Sequence, residues 1–122
     1  MIDHLGVKAA DFPAARDFYL KALAPLGIGV VMEVPGYEGI GLGKDGKPFF
    51  WVSKGDPSPG LHLAFAARSR AEVDAFHAAA LAAGAKDNGA PGLRPHYHPN
   101  YYGGFVIDPN GINLEAVCHQ PA

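Results

Sequence analysis

Hydrophobic and polar positions alternate from Ile2 to Ala9, with Leu5 and Val7 on one face and His4 and Gly6 on the other, which predicts a strand. Asp11 then caps a helix from about Phe12 to Ala24, with Pro13 in the first turn. Ala15, Phe18, Tyr19, Ala22 and Leu23 recur at three- and four-residue spacing and make one apolar stripe along it. Pro25 and Gly27 end the helix, and the β-branched run Ile28–Val34 predicts a second strand. A Pro35-Gly36 turn leads to a strand over Tyr37–Leu42. Lys44-Asp45-Gly46-Lys47 makes a hairpin turn into Pro48–Ser53.

The same order then returns. The stretch from His4 (HLGVKAADFPAARDFYLKALAPLG) aligns, 58 residues further on, with the stretch from His62 (HLAFAARSRAEVDAFHAAALAAGA). Leu5 falls on Leu63, Phe18 on Phe76 and Leu23 on Leu81, and the cap Asp11 falls on Ser69. The second copy predicts a strand over Leu61–Ala67, a helix from the Ser69 cap to about Ala83, and strands over Tyr101–Ile107 and Ile112–Cys118 around an Asp108-Pro109-Asn110-Gly111 turn. The Gly-, Pro-, Asn- and His-rich residues from Lys86 to Asn100 read as a loop with at most one short strand. The chain is thus a single α+β domain, residues 1–122, of two β-α-β-β-β modules at 1–54 and 61–122. Gly55–Gly60, with two prolines and two glycines, is the linker.

Composition narrows the function classes. Hydrophobic residues make up 48% and charged residues 18% of the 122, a globular balance. The net charge of −2 and the lack of a Lys/Arg run exclude a basic footprint for nucleic acid or an anionic membrane. The N-terminal stretch lacks the basic-then-apolar pattern of a signal peptide, and no run is apolar enough to span a bilayer. A lone cysteine, Cys118, forbids an intrachain disulfide, and a cytoplasmic location is the expectation.

Strand parity selects the candidate chemistry. Leu5 and Val7 pack under the first helix, leaving His4 on the opposite face; Leu63 and Phe65 do the same for His62. On the last strand Leu114 and Ala116 face the helix, so Asn113, Glu115 and Val117 face away from it. Two imidazoles and a carboxylate from equivalent positions are therefore expected in one concavity. A carboxylate inside a strand core needs a partner, and a divalent cation held by two neutral imidazoles and one carboxylate provides it.

The chain resembles the vicinal oxygen chelate superfamily: glyoxalase I, extradiol dioxygenases, fosfomycin-resistance transferases and bleomycin-resistance proteins. The resemblance rests on the repeated module order, the helix opening DFPAARDFYLKALAPLG and the ending FVIDPNGINLEAVCH. It covers the whole chain. It implies a metal held by His4, His62 and Glu115, with zinc, nickel, manganese or Fe(II) as the ion. It also implies a small substrate with neighbouring oxygens and a homodimer, in some members with the cleft built across the interface.

One position departs from glyoxalase I, whose fourth ligand is a Glu on the last strand of the first module. Here Phe49–Val52 matches Asn113–Ala116, and Trp51 stands where the second module has Glu115. Trp51 is either a packing residue or an aromatic wall for the substrate. The segment Arg94–Tyr102 concentrates an arginine, two histidines and three tyrosines. Arg94 is a candidate anion holder. His98, Tyr101 and Tyr102 are candidates for contact with substrate, with His98 or Tyr101 as a base. His77 reads as a surface or helix-packing residue and Cys118 as a buried small hydrophobe.

The expected activity is that of a divalent-metal-dependent lyase or isomerase of the glyoxalase type. The alternatives are an Fe(II) extradiol-type dioxygenase, a thiol transferase of the fosfomycin-resistance kind, and a metal-free drug-binding protein of the bleomycin-resistance kind.

Overall fold

The computed structural model describes residues 1–122. Strand β1 (Leu5–Ala9) leads into helix α1 (Phe12–Leu23) and a 3₁₀ turn over Ala24–Leu26, followed by β2 (Gly29–Glu33), β3 (Gly39–Lys44) and β4 (Lys47–Lys54). The second module runs β5 (His62–Ala66), α2 (Arg70–Ala82), β6 (Lys86–Leu93), β7 (Tyr102–Ile107) and β8 (Asn113–Cys118). Each module forms its own four-stranded sheet, in the orders β1-β4-β3-β2 and β5-β8-β7-β6. The first pair in each is parallel and the others are antiparallel.

The duplication holds at the level of register. Gly6 lies beside Trp51 in the first sheet, and the equivalent Ala64 lies beside Glu115 in the second. One strand further in, Gly41 sits opposite Trp51 and Phe105 opposite Glu115. Both helices start where the caps predict. The Asp11 side chain accepts from the Ala14 N–H at 3.0 Å, and the Ser69 hydroxyl accepts from the Glu72 N–H at 3.2 Å.

The apolar stripes of α1 and α2 close over one face of each sheet, and the two modules share one continuous core. They meet through α1 and the 3₁₀ turn against α2. Aromatic rings continue the seam: Tyr19 stands edge-on to Phe50, and Phe50 edge-on to Phe65, with centroids 5.1 and 5.3 Å apart. A polar joint crosses it as well. The Tyr19 hydroxyl donates to Asp108, whose other oxygen accepts from the Asn110 and Ile112 N–H groups. The Asp-Pro-x-Gly turn is thereby tied to α1 of the other module. Burial, together with the Asp108 carboxylate, pushes the Tyr19 phenol far above its ordinary range.

The largest departure from the sequence reading is β6, expected mainly as loop. Lys86–Leu93 pairs with β7 through two register shifts, around Asn88 and across Gly89–Gly92. It is the outermost strand of its sheet, where Pro91 forfeits no inner-ladder hydrogen bond, and the shifts absorb the glycines. The loop before β7 shrinks accordingly to residues 94–101. No helix is long and apolar enough to cross a membrane.

Candidate functional site

The face of the second sheet away from α2 carries the predicted pair. Glu115 is 2% exposed although it sits on the open side of β8. Gly103 on β7 makes that burial possible: a Cβ there would come within 3.0 Å of Glu115 Oε2 and 3.1 Å of the Tyr101 ring. The Tyr101 hydroxyl fills the space and donates to Oε2. Burial and the Glu115 carboxylate raise the Tyr101 phenol above its ordinary range, so it stays protonated at neutral pH and keeps donating.

The other oxygen, Oε1, faces His62 Nε2 at 3.1 Å. The second ring nitrogen, Nδ1, lies 3.1 Å from the Asn113 carbonyl, an acceptor only. Nδ1 must therefore carry the proton of a neutral ring, which leaves a lone pair on Nε2 aimed at a carboxylate lone pair. That contact is favourable only when a proton or a cation lies between the two atoms. Two donors each about 2.1 Å from a divalent ion lie about 3.0–3.4 Å apart, the spacing found here. An imidazole whose far nitrogen donates to a backbone carbonyl is also the usual orientation of a metal-ligating histidine. Two of the three expected donors thus fit a divalent cation.

His4 is not with them. No group of three His, Cys, Asp or Glu side chains able to hold a metal forms within the chain. His4 and His62 line two different cavities. Parity places each histidine on the face expected of it. The packing of one module on the other, through α1 and α2, keeps the two open faces from sharing one site. The His4 side chain is 61% exposed, and its Nδ1 lies 2.8 Å from Asp3.

The first sheet builds a different surface around His4. It lines an open cavity of about 590 Å³ with Lys8, Tyr37, Trp51 and Ser53 among its walls. The Lys8 ammonium donates to the Ser53 hydroxyl at 2.8 Å, and Lys47 pairs with Asp3 at 2.7 Å. Trp51 lies flat on β3, because a Cβ at Gly41 would meet its indole ring at 2.8–3.0 Å. Trp51 is therefore a cavity wall. The sequence reading passed over Lys8, Tyr37 and Ser53. Lys8 and Ser53 share the strand parity of His4 and Trp51 and were findable by it.

The loop candidates divide. Tyr101 reaches the site through Glu115. Arg94 is engaged elsewhere: its guanidinium donates to the Ala90 carbonyl at 2.8 Å and lies over the Phe105 ring at 5.3 Å. Tyr102 is turned to α2 and not to Glu115. It pairs with Cys118, and its hydroxyl donates to Asp74 on α2 at 2.6 Å while Arg70 covers its ring. The Asp74 hydrogen bond, followed by burial, raises this phenol too. Alternation along β7 puts Tyr102 on the helix side with Gly104 and Val106. His98 accepts from the Asn100 N–H at 3.0 Å and stands edge-on to His119, which in turn packs on Tyr101. Cys118 is buried, as its parity requires. His77 packs on its helix with Nε2 3.0 Å from Asp87.

Comparison with known proteins agrees with this architecture. A crystal structure of a glyoxalase/bleomycin resistance protein from Albidiferax ferrireducens T118 superposes with a TM-score of 0.83 at 29% identity, over 97% of this chain and 98% of that one. A glyoxalase/bleomycin resistance protein/dioxygenase family enzyme from Burkholderia phytofirmans PsJN gives 0.73 at 20% identity, over 97% and 98%. A glyoxalase-related enzyme from Fulvimarina pelagi also gives 0.73 at 20%, over 97% and 87%. The last two show the fold alone. No curated protein matches the sequence. The family model described as Glyoxalase/Bleomycin resistance protein/Dioxygenase superfamily matches residues 1–116. With its paired modules, its conserved register between them and the His62–Glu115 pair on the open face, the chain belongs to that superfamily.

Proposed function

We propose that the protein is a divalent-metal-dependent lyase or isomerase of the glyoxalase type, acting as a homodimer on a small substrate with neighbouring oxygens. The observation that carries this reading is the approach of His62 Nε2 to Glu115 Oε1, 3.1 Å apart at the wall of an open face, with Nδ1 turned to the Asn113 carbonyl. His62 and Glu115 hold the metal from one chain, and His4 from a second copy supplies the third donor. The separation of His4 from the other two within a chain favours the dimer over a site built from one chain.

An ion held by these residues would supply Lewis acidity to the substrate's oxygens. The chain's own residues set the conditions for that chemistry. Tyr101 fixes the Glu115 carboxylate by donating to Oε2, so that Oε1 alone is presented. The Asn113 carbonyl fixes the His62 ring. Near-complete burial of Glu115 keeps water from competing for it.

Metal analysis of untagged protein tests the reading, together with thermal unfolding in added Zn²⁺, Ni²⁺, Mn²⁺ or Fe²⁺. One ion per chain is expected. So is a rise in melting temperature with the preferred ion, because binding to the folded state alone stabilises it. His62→Ala and Glu115→Gln lose both. Wild-type protein that neither retains nor responds to any of the four ions overturns the proposal.

A further inference from the structure

We infer that the first sheet's open face is a binding surface for a flat aromatic carboxylate, its ring against Trp51 and its anionic group on Lys8. The assignment of that ligand as substrate rests on the proposed metal-dependent activity. The binding itself rests on the cavity alone.

Three features of the cavity point to this chemistry. The indole of Trp51 lies flat because Gly41 beneath it has no side chain, so one ring face is turned to the cavity floor and the other is open to a ligand. Tyr37 is held in the same way: a Cβ at Gly39 would meet its ring at 2.2–3.0 Å. Two aromatic rings thus border the cavity above two glycines at successive open-face positions of β3, a shape that admits a planar ligand.

Charge selects the second group. Asp3, Lys8 and Lys47 are the charged residues lining the cavity. Asp3 is occupied by Lys47 at 2.7 Å and by His4 at 2.8 Å. Lys8 has no carboxylate partner. Its ammonium donates one hydrogen to Ser53 and keeps two. The Lys8 stem is confined against the backbone at Gly55, where a Cβ would come within 2.9 Å of Cδ. A held ammonium with free hydrogens, beside an open aromatic face, suits an anion on an aromatic ring. It disfavours a cationic ligand, since the lining carries two lysines against one aspartate. The cavity, about 590 Å³, is wide enough for a one- or two-ring ligand.

Trp51 is the only tryptophan, so its indole N–H gives one cross-peak in an ¹⁵N–¹H spectrum. That peak is followed in the metal-free protein during titration with benzoate, neutral benzamide and the non-aromatic cyclohexanecarboxylate. Benzoate is expected to shift it saturably, at least about 10-fold more tightly than either comparison compound, the factor that about 1.4 kcal/mol represents. Lys8→Met loses the preference of benzoate over benzamide, and Lys8→Arg retains it. Equal binding of benzoate and benzamide, no shift with either, or an unchanged preference in Lys8→Met overturns the inference. The titration contains no metal, so its outcome is separate from the metal analysis. Binding of benzoate by a protein that holds no ion leaves this surface standing and removes the metal-dependent activity.

Discussion

The two modules share a register and differ in what they present from it. On the inner strand of the second sheet stands Glu115, opposite Phe105; at the same place in the first stands Trp51, opposite Gly41. The bulky and the compact partner have changed strands. Where the second module has Ala66 on the edge strand, the first has Lys8. The consequence is a division of labour. One face holds a buried carboxylate and an oriented imidazole, and the other an aromatic floor beside a confined ammonium. Common to both are the histidines His4 and His62 and, at one end of the inner strands, a glycine under a tyrosine ring, Gly39 with Tyr37 and Gly103 with Tyr101. A duplicated fold thus keeps its backbone pairing while its open faces diverge, because packing under the helices constrains one parity of each strand and leaves the other free.

The two modules are tied at one polar joint. Tyr19→Phe keeps the edge-on ring contacts with Phe18 and Phe50 but removes the donor to Asp108, the one side-chain hydrogen bond between α1 and the β7–β8 turn. Leaving a buried carboxylate oxygen without its donor costs about 1.5–3 kcal/mol. Urea unfolding of the variant is expected to show that loss as a lowered midpoint. An unchanged midpoint would mean that the modules are joined by apolar contact alone.

A smaller change sharpens the contrast between the faces. Tyr101→Phe removes the donor that holds Glu115 Oε2. Supporting hydrogen bonds of this kind are worth about 10–100-fold in metal affinity. Metal titration of Tyr101→Phe is expected to fall in that range, with the Trp51 response to benzoate unchanged. Equal losses on both faces would mean that they are not independent within a chain.

Much of this was legible in the chain. Asp11 and Ser69 mark both helix starts because a side-chain oxygen before an apolar stripe has a single local use. The placement of Glu115 and His62 on one face follows from counting alternate residues, and the structure brings them to 3.1 Å. Three things were hidden, each for a physical reason. Strand β6 carries Gly89, Pro91 and Gly92, which erase alternation, and it survives only because an edge strand needs one partner. The employment of Tyr102 depends on what α2 presents to it, since alternation gives its face but not its Asp74 and Arg70 partners. The separation of His4 from His62 is a property of how one module packs on the other. Neither strand pattern encodes it, since α1 and α2 meet through side chains that serve equally well as ordinary core.

The proposed metal site requires that His4 of one chain complete the His62–Glu115 pair of another. Co-expression of His4→Ala with Glu115→Gln under two different tags yields a heterodimer that can be isolated and its metal counted. In a site shared between chains, that heterodimer has one intact set of three donors and one doubly damaged set. The account predicts one divalent ion per heterodimer and none in either variant homodimer. A heterodimer that holds no metal, when the wild type holds one ion per chain, would contradict it.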